Sequence, residues 1–207
     1  MIKLTNILSE IGEGTAQPFK WKADTNFNSW LNDTVATGKK IAGSMEAIRP
    51  VDDYTYTFVS DITNTEYEVY VKCAVGNRPN RLFNPGKSKP KVKHFVECSV
   101  GFGIKSAKRE VDTNLNEQYR IMATVTQCIF DFVKRLEDSG QVNLSEMYIL
   151  PKADDSMDSN IASKRGRMYA MYIDKMLSKI PSKRKFTVET MSSGFLIKAV
   201  VSDDDYQ

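Results

Sequence analysis

The feature of this sequence that most restricts its fold is an alternation of apolar and polar residues between positions 54 and 104. The stretches YTYTFVS (54–60) and TEYEVYVKCAV (65–75) both alternate, and the turn DITN (61–64) joins them. The stretch VKHFVECSVGFGI (92–104) alternates again, after a proline-containing interval at 76–90. Alternation places one row of side chains on a core and the opposite row in solvent. We therefore predict a three-stranded antiparallel meander with an irregular loop before the third strand.

The apolar spacing then changes to that of a helix. Asn114 and Glu117 match the capping box of a helix N-terminus, and Gly140 is a typical stop. We predict a helix between them, with an apolar stripe formed by Met122, Val125, Ile129, Phe132, Val133 and Leu136.

Four further elements follow. EMYIL (146–150) predicts a short strand, and apolar residues from Ile161 to Leu177 predict a second helix. KFTVET (185–190) and GFLIKAVV (194–201) predict two closing strands. The predicted fold class is α/β with a mixed, mostly antiparallel sheet, in which the meander is followed by helix, strand, helix, strand and strand.

The first 50 residues have a different character from the rest. Ile2, Leu4, Ile7, Leu8 and Ile11 fit a short amphipathic helix, and the following segment predicts helices at about 27–36 and 38–48. We therefore divide the chain into an N-terminal leader and helical region at 1–50 and an α/β domain at 51–207. Three interpretations of the leader stay open, namely a first helix on the core, a capsid-targeting peptide and a disordered segment.

The composition of the 207 residues, 41% hydrophobic and 27% charged, is that of a globular protein with its own core. Cys73, Cys98 and Cys128 are widely spaced and lack the spacing of a zinc site, so we expect buried reduced thiols and no metal. His94 is the only histidine, on the inward side of a predicted strand, where we expect a core or edge residue.

Nothing in the sequence predicts a membrane partner. No apolar run approaches the roughly 20 residues that cross a bilayer. Asn6, Ser9 and Glu10 interrupt any signal-peptide core. We therefore expect a soluble intracellular protein.

Positive charge is concentrated in the loop before the third strand. No acidic residue occurs between Glu68 and Glu97, although the net charge of the chain is only +3. The interval combines phosphate-binding cations with one aromatic stacking group, and the candidate binding residues are Arg78, Arg81, Phe83, Lys87, Lys89, Lys91 and Lys93. The loop predicts a contact arm for a protein, a nucleic-acid site or a solvated hairpin.

The element order from 54 to 201 resembles the Gcn5-related N-acetyltransferase fold. That resemblance implies an acetyltransferase-like sandwich that binds acetyl-CoA between splayed central strands. The family's Q/R-x-x-G-x-G/A phosphate loop corresponds to KSAKREVDTNLNEQYR (105–120), which has no glycine, so the cofactor cradle is expected to be filled by side chains. In SKRGRMYAMYIDKML (163–177), the position of the family's general-acid tyrosine corresponds to Tyr169, which also fits an apolar stripe.

The strings QYRIMATVTQCIFDFVK and ASKRGRMYAMYI are similar to a class of tailed-phage proteins. The resemblance implies a phage source. Ile11-Gly12-Glu13 before Gly14 has the form of a prohead protease site, which makes Glu13 and Gly14 the candidate processing residues.

Together these patterns predict a bacteriophage accessory or virion-associated protein that acts by binding and uses no cofactor. Its expected partners are other phage virion proteins or a host protein, and its expected location is the virion or the host cytoplasm. The alternatives are an N-acetyltransferase that uses acetyl-CoA, with Tyr169 as catalytic acid, and a nucleic-acid-binding protein.

Overall fold

The computed structural model describes residues 17–41, 48–78, 93–105, 115–149, 173, 185–191 and 195–200. They form a mixed, mostly antiparallel eight-stranded sheet and two helices. The strands are β1 (Trp21–Ala23), β2 (Ile48–Pro50), β3 (Tyr54–Val59), β4 (Glu66–Arg78), β5 (Lys93–Ile104), β6 (Asn143–Ile149), β7 (Lys185–Thr190) and β8 (Phe195–Val200). The helices are α1 (Phe27–Ile41) and α2 (Leu115–Ser139).

The strand order is β1-β3-β4-β5-β6-β8-β7, with β2 pairing to β4 beside β3. Only the β5–β6 pair among the described strands is parallel, and α2 connects its two members. The predicted α/β class and its mostly antiparallel sheet are therefore confirmed. The predicted second helix lies outside the described residues apart from Ile173, which is helical and buried.

The structure confirms the predicted meander, both in which strands pair and in which alternate residues are buried. β3 pairs with β4 from Tyr54 opposite Val71 onward, and β4 pairs with β5 from Tyr67 opposite Ile104 to Arg78 opposite Lys93. Alternate residues of these strands are buried on the face that the helices cover. Strand β4 extends three residues further toward the loop than the predicted strand at 65–75, since it continues through Arg78.

Helix α2 covers the centre of this face with the predicted stripe. All six stripe residues are buried, and Phe132 makes edge contact with Trp30 of α1 at 5.4 Å between ring centroids. The helix ends as predicted, because Gly140 adopts a φ of 61°, a left-handed conformation that a glycine enters without strain.

Helix α1 differs from the sequence prediction. Asn26 caps its N-terminus, since its side-chain oxygen accepts a hydrogen bond from the Ser29 amide at 3.1 Å. One helix then continues through Gly38 to Ile41, and residue 48 already belongs to β2, so the predicted second helix over 38–48 is wrong. Gly38 does not end the helix; its missing Cβ makes room for the His94 ring of β5.

We predict that Gly38→Ala destabilises the protein although alanine is the better helix former. A Cβ at this position would lie 2.8 Å from His94 Nδ1 and 2.9 Å from its Cγ. Overpacking of this kind lowers the free energy of unfolding by about 1–3 kcal/mol, which exceeds the gain of about 1 kcal/mol in helix propensity.

The control is the same substitution in a His94→Ala background. There the clash is absent, so Gly38→Ala should raise the free energy of unfolding by about 1 kcal/mol in urea titrations. An equal loss in both backgrounds would contradict the assignment of Gly38 to this contact.

Polar side chains along α2 bind the segment that leads into β1. Thr124 accepts the Phe19 amide at 2.9 Å, and Gln127 accepts the Trp21 indole at 3.1 Å. Arg120 lies 4.0 Å over the Phe19 ring and donates to the Gln17 carbonyl at 2.9 Å. These contacts place residues 17–23 on the same core as the strands.

Arg120 also forms a two-point ion pair with Asp61 in the β3–β4 turn, at 2.7 and 3.0 Å. The hydrogen bond from Arg120 holds the pKa of Asp61 below its ordinary value of 3.8. A lowered carboxyl pKa contributes stability that is present above the unfolded pKa and is lost as the pH falls through the folded one.

We predict that wild type has a higher melting temperature than Asp61→Asn at about pH 6, and that the two melting temperatures converge at about pH 2. The difference is small because the pair is exposed. A difference that stays constant over this range would show that the Asp61 charge is not its source.

Candidate functional site

Most of the predicted site residues lie outside the described part of the chain. They are Arg81, Phe83, Lys87, Lys89, Lys91, Tyr169, Glu13 and Gly14. Arg78 and Lys93 are the exception, since their backbones pair across β4 and β5 at the base of the loop. The structure therefore describes the paired strand ends, at Arg78 and Lys93, that flank the loop segment at 79–92.

The base of that loop is held in the middle of the sheet. On one side β2 pairs with β4 as far as Gly76, opposite Ile48. On the other side β6 pairs with β5 from Phe95, opposite Asn143. Both strands of the hairpin are thus flanked up to the last residues before the loop, which fixes the position and direction in which the loop starts.

The C-terminal end of helix α1 lies near the base of the β4–β5 hairpin and adds positive charge there. Its last turn contains Lys39 and Lys40, both exposed, beside the His94 ring. Partial burial, and then the Lys39 charge, lower the pKa of His94, which favours its neutral form. Arg49 of β2 lies opposite Val75, within three residues of Arg78. We call Lys39, Lys40, Arg49, Arg78, Lys93 and the loop segment at 79–92 the basic hairpin end.

Sequence reasoning missed the contribution of α1 and β2 to this surface. Two predicted strands separate Lys39, Lys40 and Arg49 in sequence from the loop, and these residues carry no periodic signal. The sequence prediction placed Lys39 and Lys40 at the start of a helix over 38–48, so it gave no sign that they lie in the last turn of α1.

The place where the acetyltransferase resemblance puts the cofactor is the junction of β5 and β6. The two strands are paired from Phe95–Asn143 to Val100–Ile149, with an irregularity after Val96. Beyond Val100, the residues Gly101–Ile104 pair with β4 alone among the described strands. The loop that would follow, at 106–114, lies outside the described residues.

A groove of about 350 Å³ lies between α1 and the segment after β2. The Trp30 indole donates to the Asp52 carbonyl at 2.7 Å beside it. Its wall combines polar and apolar groups, and the lining residues are Thr25, Asn26, Ser29, Trp30, Asp33, Thr34, Thr37, Pro50, Val51 and Asp52. Its volume is at the lower end of the range for small-molecule sites.

Two buried tyrosines of β3 lie near a carboxylate of α2. The Tyr56 hydroxyl donates to Asp131 at 3.0 Å, and Arg135 donates to the same Asp131 oxygen at 2.7 Å. Burial, with the nearby Asp131 charge, raises the pKa of Tyr56 far above its ordinary value. A phenol in this state is a poor proton donor, so the cluster has a structural role.

The hydroxyl of Tyr54, fully buried beside this cluster, makes no hydrogen bond to a described residue. We predict that Tyr54→Phe leaves the free energy of unfolding unchanged or raises it by up to about 1 kcal/mol. Tyr56→Phe, the matched control, should lower it by about 1–2 kcal/mol because it leaves Asp131 with one partner fewer. Urea titrations that give equal losses would contradict this difference.

Comparisons with protein-family models, with curated protein sequences and with solved structures gave no match. In the described part of the chain, no cluster of three or more His, Cys, Asp or Glu residues could hold a metal ion. Neither α1 nor α2 combines the length and apolar character that a bilayer-crossing helix needs. The assignment of function therefore depends on the chain's own residues.

Proposed function

We propose that this chain is an accessory or virion-associated protein of a tailed phage, and that it acts by binding through the basic hairpin end. The observation that carries the proposal is the anchoring of the β4–β5 hairpin. Its strands are flanked by β2 and β6 up to Gly76 and Phe95, so a loop rich in cations starts from a rigid base.

A rigid base matters for binding because ordering a free segment opposes association. Here the sheet fixes both ends of the loop before any partner arrives, and the last turn of α1 extends the positive surface with Lys39 and Lys40. A partner with an acidic or phosphate-bearing surface would therefore meet the exposed cations of α1 and β2 beside the base of the hairpin.

The phage source follows from the resemblances of the strings at 118–134 and 162–173 and from the Glu13–Gly14 pattern. The test is mass spectrometry of purified phage particles. Peptides from this chain, with a new N-terminus at Gly14, are the expected result. Particles that lack the chain would end the virion-associated role, and an uncut chain would end the processing role alone.

A second candidate function is nucleic-acid binding, and the cations of α1 and β2 beside the loop favour it. Sequence alone offered one loop with a single aromatic, whereas Lys39, Lys40 and Arg49 widen the charged surface around its base. Backbone phosphates are bound by gathered cations in this way. The salt dependence of binding, treated in the Discussion, distinguishes this candidate from a protein partner.

The acetyltransferase alternative stays a prediction. The observation in its favour is that Gly101–Ile104, at the end of β5, pair with β4 alone among the described strands. Calorimetric titration of the whole chain with acetyl-CoA tests it, and no heat at millimolar concentration would end it. Acetyl transfer that is lost in Tyr169→Phe would replace the binding role with a catalytic one.

A further inference from the structure

Two cysteines face each other across the central strands of the sheet. Cys73 of β4 is the direct cross-strand partner of Cys98 of β5, and their Sγ atoms are 2.8 Å apart. Both side chains point to the covered face, with exposures of 4% and 3%. The sequence showed three separate thiols, and only the strand register brings these two together.

This arrangement satisfies the geometric requirements of a disulfide. Directly opposed residues of antiparallel strands have Cα atoms about 4.5 or 5.5 Å apart, and both values fall within the range of about 4.4–6.8 Å seen in disulfides. The sulfur atoms need to approach by only about 0.8 Å to reach the bond length of about 2.05 Å. We propose that Cys73 and Cys98 are a modification site at which a reversible cross-strand disulfide forms.

The oxidant that the step requires is a small disulfide of the glutathione class. One protein thiolate attacks the glutathione disulfide, which gives a mixed disulfide and releases one glutathione thiolate. The second protein thiolate then attacks the protein sulfur of that mixed disulfide and releases the second glutathione. Two thiols lose two electrons and two protons, and one glutathione disulfide becomes two molecules of reduced glutathione.

Reactivity is controlled by access to the buried pair. Burial, together with the neighbouring Cys98 thiol, raises the pKa of Cys73, so little thiolate exists in the folded chain. Oxidation therefore proceeds when the strands open or before folding is complete, and the folded state then protects the bond from reduction.

The bond would close a ring across residues 25 apart in sequence, and this ring contains the whole loop at 79–92. In the oxidised chain the base of the hairpin is joined covalently as well as by the ladder. This inference needs no partner and stands whether or not the basic hairpin end binds one.

The experiment uses the complete wild-type chain, unfolded in denaturant and refolded in a mixture of reduced and oxidised glutathione. Free thiols are then alkylated, and tryptic peptides are identified by mass. Trypsin separates the three cysteines because Lys93 and Arg120 lie between them. We expect the Cys73 and Cys98 peptides to be linked and Cys128 to be alkylated, with a melting temperature about 5–10 °C above that of the reduced chain.

Three alkylated cysteines, or links to Cys128 as frequent as the Cys73–Cys98 link, would overturn the proposal. Cys128→Ala serves as the variant control and should retain the bond. Cys73→Ala should give no link between Cys98 and Cys128. The wild-type peptide map decides the question by itself if either variant fails to fold.

Discussion

Glu117→Ala is expected to lower the free energy of unfolding by about 2–3 kcal/mol, because it removes a buried carboxylate that joins α2 to the β3–β4 turn. Glu117 is 1% exposed. It accepts hydrogen bonds from the Ser60 hydroxyl and, at 3.4 Å, from the Thr63 hydroxyl. Its place in the first turn of α2 also puts negative charge near the positive end of the helix dipole.

The matched control is Asp138→Ala on the same helix. Asp138 is exposed and forms an ion pair with Lys134 one turn away, so its removal should change the free energy of unfolding by less than about 0.5 kcal/mol. Glu117→Gln keeps the shape of the side chain and one acceptor oxygen. Its loss in the free energy of unfolding should therefore lie between those of Glu117→Ala and Asp138→Ala. Equal losses for Glu117→Ala and Asp138→Ala in urea titrations would show that the buried connection contributes little.

The second large effect is expected at the basic hairpin end. If the partner is nucleic acid, the triple variant Lys87→Ala, Lys89→Ala and Lys91→Ala should weaken binding to a duplex of about 20 base pairs by about 100-fold at low salt. Three lost phosphate contacts also reduce the slope of log K against log salt by about 2.7.

The control variant removes three cations outside the basic hairpin end, at Lys22 of β1, at Lys105 directly after β5 and at Lys134 of α2. Those positions already pair with acidic residues, so this variant should retain the affinity and the salt slope of wild type. Binding that is undetectable, or insensitive to salt, would remove the nucleic-acid candidate and leave the protein partner.

Patterns within single elements allowed much of the fold to be predicted. The alternation in β3, β4 and β5 and the stripe on α2 each reflect burial of one side of a regular element, so a local sequence window reports them. The strands at 146–150, 185–190 and 194–201 were also predicted within a few residues of β6, β7 and β8.

What sequence could not provide was the pairing between distant segments. Strands β1 and β2 have three residues each, which is too short for an alternation to be recognised. The predicted division between helices at 27–36 and 38–48 was wrong, and the contact that explains Gly38, the ring of His94, lies 56 positions away in sequence. The Cys73–Cys98 pair likewise depends on a register that neither strand specifies alone.

The contacts between residues 17–21 and α2 have a consequence for the proposed cleavage of the leader. In the described part of the chain the anchoring contacts begin at the Gln17 carbonyl, and three residues separate Gln17 from the proposed scissile bond between Glu13 and Gly14. Cleavage at that bond would therefore retain the residues that donate hydrogen bonds to Thr124 and Gln127. The cut chain would be expected to keep its first described segment docked on α2.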